Sequence, residues 1–195
     1  ASGHAVRDLP KVCKHLHLPV QSGSTRVLTA MRRRYTRESY LQLVAQIRET
    51  IPDVTLSTDM IVGFPGETEG DFEETLSLTE AAQYHGMFSF KYSMRPNTLA
   101  ASRLPDDVTE AEKTRRIMAL QSLQRGIQTQ LHERSVGTTM DVLIDSAGRR
   151  GDAEISGRTG GNAVVSCQAP GLGVGDSEWD GSSPGSRIPD PGNGS

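Results

Sequence analysis

The sequence predicts an α/β fold, part of a parallel-stranded barrel followed by a small β-module, and three observations carry that reading. Short apolar or alternating runs at residues 12–21, 56–64 and 87–93 are separated by stretches of helical periodicity, the order that builds βα units. Each run ends in a polar, glycine- or proline-bearing loop: Gln21-Ser22-Gly23-Ser24, Gly63-Phe64-Pro65-Gly66 and Arg95-Pro96-Asn97-Thr98. Beyond Gly137 the pattern changes, and 140–144 and 162–166 read as strands around the glycine-rich 148–161 region. Three strands cannot close a barrel, so the first region is expected to be part of one.

The central run carries the clearest signal. In 56–64 the residues are partly β-branched and almost uncharged, as expected of a strand covered on both faces, with Asp59 the exception. Gly63 and Gly66 are expected to leave backbone amides that a ligand can approach, while Pro65 fixes the turn. Thr68 can cap the next helix, with Asp71 three residues on in a loose capping box. An ordinary βα turn is the alternative reading of such a Gly-x-x-Gly.

The other elements follow in order. Alternation through 12–21 places Cys13, His15 and His17 on one strand face. Ligands two apart on one strand rarely all turn to one ion, so the histidines are expected to line a polar cavity or to hydrogen-bond inside a barrel. Ser24 is a candidate cap for a short helix through Val27, Leu28 and Met31. Thr36 caps a longer helix with Tyr40, Val44, Ile47 and Ile51 at helical spacing, stopped by Pro52-Asp53. Phe72, Leu76 and Thr79 mark a helix ending near His85-Gly86, before the third strand. Leu104-Pro105-Asp106-Asp107 reads as a linker, and Thr109 with Glu112 as a capping box for a helix with Ile117, Leu120, Ile127 and Leu131. In 169–195, 16 of 27 residues are Gly, Pro or Ser, a composition expected to stay disordered.

Net charge is -3, but the charges are sorted. Residues 1–50 hold nine Lys/Arg against three Asp/Glu, whereas 51–80 hold eight acids and no base. Arg32, Arg33, Arg34 and Arg37 there can meet phosphates or form a solvated helix end; Arg149, Arg150 and Arg158 pose the same pair of readings in the β-module. No apolar run approaches the roughly 20 residues that span a bilayer, and no signal peptide opens the chain, so a cytoplasmic location and no membrane partner are expected. Cys13 and Cys167 give no disulfide framework, which fits a reducing compartment.

Taken together, four pieces resemble the radical-SAM methylthiotransferases, and within them the branch acting on isopentenylated tRNA. They are His15-Leu16-His17-Leu18-Pro19-Val20-Gln21-Ser22-Gly23-Ser24, Arg32-Arg33-Arg34-Tyr35-Thr36-Arg37-Glu38-Ser39-Tyr40, the 58–68 stretch, and Phe88-Ser89-Phe90-Lys91-Tyr92-Ser93. The match runs in the family's order over roughly 12–168; Asn97 stands where glycine is usual and Met94 where proline is usual. The resemblance implies an α/β fold: the C-terminal half of a partial TIM-like radical-SAM barrel in 1–104, a helical linker in 105–134, an incomplete TRAM-like RNA-binding β-barrel in 135–168, and the tail after it. It implies transfer of a methylthio group to C2 of N6-isopentenyladenosine beside the anticodon. A ribosomal protein or threonylcarbamoyl-adenosine tRNA as substrate, or a non-catalytic nucleic-acid-binding module, are the alternatives. Implied partners are tRNA, S-adenosylmethionine, an electron donor and a sulfur donor. Gln21 and Ser22 would hydrogen-bond the cofactor's ribose or amino-acid end, and Ile61 and Gly63 would border its adenine through the backbone. Asp59 and Glu67 would make cofactor or loop contacts, Glu67 having the first-turn-acid alternative. Arg149, Arg150 and Arg158 would meet RNA. The family's 4Fe-4S clusters need a CxxxCxxC loop and N-terminal cysteines that this sequence does not contain, so this chain by itself is expected to be inactive.

Overall fold

A computed structural model describes residues 11–94, 104–147 and 154–168, and divides the chain into two compact units, Ala1–Val136 and Gly137–Ser195. The turn at 95–98 and the tail at 169–195 lie outside the described residues.

In the first unit, β1 (His15–His17), β2 (Thr55–Val62) and β3 (Gly86–Lys91) form a parallel sheet in that order. Between and after them run α1 (Thr25–Ala30), α2 (Arg37–Thr50), α3 (Glu69–Ala82) and α4 (Glu110–Glu133). The four caps read from sequence are present: Ser24, Thr36, Thr68 and Thr109 each accept a first-turn amide. Thr68 and Asp71 complete a reciprocal capping box. Thr109 does half of what was expected, because the Glu112 carboxylate turns to Arg115 and Arg116 instead.

The sheet is covered on one side. Leu56, Met60 and Val62 of β2 are fully buried and pack with Tyr40 and Val44 of α2, Phe72, Leu78 and Ala82 of α3, and Leu120 of α4. Each such side chain contributes about 1.5–3 kcal/mol by leaving water. The alternate residues lie on the other face, where Asp59 and Ile61 are half-buried and their register partners Phe88 and Phe90 are 62% and 53% exposed. Where a strand covered on both faces was expected, the described residues place helices behind the C-terminal half of β2 and leave Asp59 and Ile61 half-buried on the other face. The helix expected in 105–134 is present as α4, and its Lys113, Arg116, Leu120, Gln124 and Ile127 are buried within the first unit.

The second unit is an antiparallel sheet, β4 (Val142–Ala147), β5 (Glu154–Thr159) and β6 (Val164–Gln168), with a bulge between Ile144 and Ser146. β5 lies where a loop region was expected, so Arg158 is a strand residue. Gly157 explains the mismatch: a Cβ there would come within 2.3 Å of the Leu143 carbonyl oxygen, so the strand needs the residue that makes it read as a loop. Among the described residues, no helix is long and apolar enough to cross a membrane.

Candidate functional site

The loops after β1 and β2 meet at the C-terminal edge of the sheet, where parallel α/β folds place their sites. Backbone bonds from Gln21 N to Asp59 O (2.9 Å) and from Ile61 N to Gln21 O (2.8 Å) extend the β1–β2 pairing past the strand. Gln21 adopts φ +74°, a left-handed conformation that costs a residue with a Cβ about 1–2 kcal/mol. Its side-chain amide has no hydrogen-bond partner among the described residues. Ser22 is buried, and its hydroxyl accepts from Ser24 N at 3.2 Å, so it serves the loop. Gly23 is required sterically: a Cβ would lie 2.4 Å from Thr75 Cα, while its amide donates to Thr75 Oγ1 at 2.9 Å.

Asp71 ties the two loops. Its carboxylate accepts from Ser24 Oγ at 2.6 Å, Arg26 Nε at 3.2 Å and Thr68 N at 2.8 Å, and pairs with Arg26 Nη2. Burial pushes this carboxyl up, but the bonds from Arg26, Ser24 and Thr68 outweigh it and hold it well below its ordinary value.

The β2 loop is internally closed. Glu67 is buried and accepts from Gly63 N at 2.5 Å and Phe64 N at 3.0 Å, with Arg116 Nη1 3.4 Å from its other oxygen. Burial raises the Glu67 carboxyl, while the Phe64 amide and Arg116 pull it back. Gly66 N donates to Asp107 Oδ1 at 2.7 Å. The glycine amides expected to be open to a ligand are thus taken, and Glu67 precedes the Thr68 cap, outside the first helical turn. Gly63 has φ +72°, and a Cβ would stand 2.3 Å from Lys113 Cγ, so its glycine is explained by backbone and by α4. Lys113 is 4% exposed, bonds Asp106 at 2.6 and 2.7 Å, and lies over the Tyr92 ring at 5.4 Å.

On the open face a polar ladder crosses β1 and β2. His15 Nδ1 lies 2.9 Å from Thr55 Oγ1 and its Nε2 3.1 Å from Ser57 Oγ; His17 Nδ1 lies 2.9 Å from Ser57 Oγ and its Nε2 3.4 Å from Asp59 Oδ1. The histidines hydrogen-bond along the sheet, as expected. Burial, then the neighbouring His17, lowers the His15 pKa, keeping it neutral near pH 7. His17 meets Phe88 edge-on at 6.2 Å, so Asp59, Ile61, His17 and Phe88 share one face. Among the described residues, no group of three or more His, Cys, Asp or Glu is placed to hold a metal ion.

Of the residues singled out from sequence, Gln21, Asp59 and Ile61 come together at the open edge, whereas Ser22, Gly63 and Glu67 build the loops behind it. Arg158 lies in the second unit, 3.5 Å from Asp145 Oδ2 and 3.0 Å from Asn162 Oδ1, half exposed; Arg149 and Arg150 lie outside the described residues. Arg26, Lys113, Arg116 and the inter-loop role of Asp71 escaped the sequence reading. One signal for two of them exists: Lys113 and Arg116 share the helical stripe of Leu120, Gln124 and Ile127, where cations are unexpected unless paired.

Residues 4–79 match the radical SAM superfamily. A solved structure of Escherichia coli coproporphyrinogen III oxidase (HemN), described as a radical SAM enzyme, aligns with TM-score 0.50 at 20% identity over 58% of this chain and 27% of its own, which shows the fold alone. The chain is thus similar to the radical SAM superfamily over residues 4–79, and its first unit shares a fold with that solved structure. The chain is also similar to proteins named tRNA-2-methylthio-N(6)-dimethylallyladenosine synthase. Identity is 45% with that of Acetivibrio thermocellus (85% of this chain, 34% of the relative), 48% with Phocaeicola vulgatus (82% and 35%) and 49% with Geotalea uraniireducens (83% and 36%). The resemblance to the radical-SAM methylthiotransferases holds, and the chain spans about a third of the length of the curated relatives it matches.

Proposed function

We propose that this chain is part of a tRNA-modifying enzyme that adds a methylthio group to C2 of N6-isopentenyladenosine beside the anticodon, with S-adenosylmethionine as cofactor. The observation that carries the reading is the 45–49% identity to synthases of that name over more than four-fifths of this chain. S-adenosylmethionine fits the open edge: Gln21 brings an unengaged amide, Asp59 a half-exposed carboxylate and Ile61 a half-exposed apolar side chain. When bound, the cofactor supplies the radical and methyl chemistry. Gln21 and Asp59 orient its polar groups, Ile61 borders its adenine, and Ser22, Gly63 and Glu67 hold the loops that place them. A 4Fe-4S cluster does not fit these residues, because the two cysteines of the sequence, Cys13 and Cys167, lie in different units. The electron and sulfur donors belong to the same proposal.

In this reading β4–β6 are part of a TRAM-like RNA-binding barrel in which Arg158 meets phosphate, the enzyme works in the cytoplasm, and tRNA is the partner. The test is a chimera in which this chain replaces the matching third of the Phocaeicola vulgatus relative, produced in cells lacking their own enzyme. Mass spectrometry of tRNA nucleosides should find the 2-methylthio product with the wild-type chain and lose it with Gln21→Ala. Product made equally by both would overturn the cofactor assignment, and no product from a folded wild-type chimera would overturn the function.

A further inference from the structure

The open face of the first sheet changes character from strand to strand. Across β1 and β2 it is polar: His15, Ser57, His17 and Asp59 follow one another through side-chain contacts of 3.1, 2.9 and 3.4 Å. Across β3, which ends the sheet, it is apolar. Phe88 lies beside Asp59 and Phe90 beside Ile61 in the parallel register, so strand alternation puts both rings on the open face. Their neighbours turn the other way, Met87 against the core and Ser89 to Gln121 of α4.

The rings are 62% and 53% exposed, and among the described residues their one ring contact is that of Phe88 with His17 at 6.2 Å. Adjacent large apolar side chains left in water mark a contact surface. Size argues against a protein as the occupant. At these exposures two phenyl rings present on the order of 200 Å², about a quarter of the roughly 800 Å² that each side of a stable protein interface buries. The surroundings argue the same way, because a protein laid over the rings would also take the partly exposed Asp59 carboxylate out of water. A small ligand with an apolar arm beside a polar body meets both strips of the face.

We propose that Phe88 and Phe90 bind the isopentenyl arm of the adenosine to be modified, next to Asp59 and Ile61 of the cofactor edge. The inference rests on the tRNA reading above and adds the residues that tell a prenylated adenosine from a plain one. A branched five-carbon arm has no hydrogen-bonding group, so its recognition comes from apolar contact alone. Ring-bearing residues two apart on a strand have Cα atoms about 7 Å from each other, a span that matches such an arm. Covering it there is worth about tenfold in affinity over plain adenosine.

Fluorescence anisotropy of the full chain with two anticodon stem-loops, identical except for the isopentenyl group, tests it. Wild-type chain should bind the isopentenylated stem-loop about tenfold more tightly. Phe88→Ala and Phe90→Ala, at positions open enough to leave the fold intact, should each cut that preference to about threefold or less. Met118→Ala, at a 63% exposed position on α4, should keep it. A measurement without any variant accompanies these: on binding of free isopentenyladenosine to wild-type chain, ring currents should move the arm's methyl resonances upfield. Methyl resonances that stay in place overturn the site, as does a preference that survives both phenylalanine substitutions. Equal weakening of both stem-loops assigns the rings to the RNA chain or to the fold and overturns recognition of the arm. Rings covered instead by the rest of the longer enzyme give a wild-type chain without preference and a chimera that Phe88→Ala destabilises. A chain without preference in a chimera that still makes the 2-methylthio product sinks this inference alone; a folded chimera that makes none sinks the tRNA reading with it.

Discussion

Replacing Asp71 with asparagine removes one charge at the point where two βα loops are tied together. The carboxylate, 7% exposed, serves Ser24, Arg26 and Thr68 with its two oxygens. Asparagine puts an NH2 where one oxygen was, so either the Ser24 and Arg26 side or the Thr68 side faces a donor instead of an acceptor. Charge-assisted hydrogen bonds contribute about 1.5–3 kcal/mol each. Arg26 is 57% exposed and regains water, so the loss should be about 2–4 kcal/mol rather than the sum. At about 3–5 °C per kcal/mol for a unit of this size, Tm falls by about 10 °C. The sign with pH follows from the depressed carboxyl: a group held below its unfolded value of 3.8 contributes stability above that value and loses it as pH falls toward the folded value. The gap between wild type and Asp71→Asn should therefore be full near pH 7 and shrink below about pH 4. Urea unfolding followed by circular dichroism across that range measures it. Equal midpoints at neutral pH, or a gap that persists undiminished in acid, would refute the reasoning.

Three further outcomes are expected. Gly63→Ala should destabilise the first unit by about 2–4 kcal/mol, from the left-handed φ and the contact with Lys113; trimming Lys113 to alanine beside it should recover only the contact part, measured by urea midpoints. Asp106→Ala should cost about 3 kcal/mol by leaving the buried Lys113 ammonium unpaired, and adding Lys113→Met should restore most of it, so a fully additive double-mutant cycle would contradict the pairing. Arg158→Ala should lower the salt slope of tRNA binding by about one unit while leaving S-adenosylmethionine affinity unchanged; a variant with the wild-type slope would remove Arg158 from the RNA face.

Local physics made the βα region legible in the sequence. Capping depends on residues three apart, so Ser24, Thr36, Thr68 and Thr109 could be found without knowing the fold. The strands of the first sheet followed from alternation in β1 and β3 and from an almost uncharged apolar run in β2, although β1 pairs over three residues where ten were expected. What stayed hidden depends on distant partners. Glu67 reads as an acid at the start of a helix, and only the fold brings Arg116 to it from 49 residues away. β5 was hidden by its own glycine, whose need arises from the neighbouring strand.

On the reading proposed above, hydrogen-bond engagement separates the residues assigned to a ligand from those that hold the loops. Glu67, Ser22 and Gly63 have their hydrogen-bonding groups engaged by the chain itself, so a ligand contact there would first have to break a bond inside a dry loop. Gln21 and Asp59 impose no such cost. Gln21 is held in a left-handed conformation by two backbone bonds to β2 while its amide stays unengaged, a strain that the loop itself does not use. Among the described residues the Asp59 carboxylate has only the 3.4 Å contact with His17, and it keeps part of its surface in water. The Asp71 and Glu67 networks fix the backbone on either side of these two residues, so the edge is ordered before a ligand arrives. If the edge binds the proposed cofactor, that order reduces the entropy lost on binding and gives buried carboxylates that do not touch the ligand a share in its affinity.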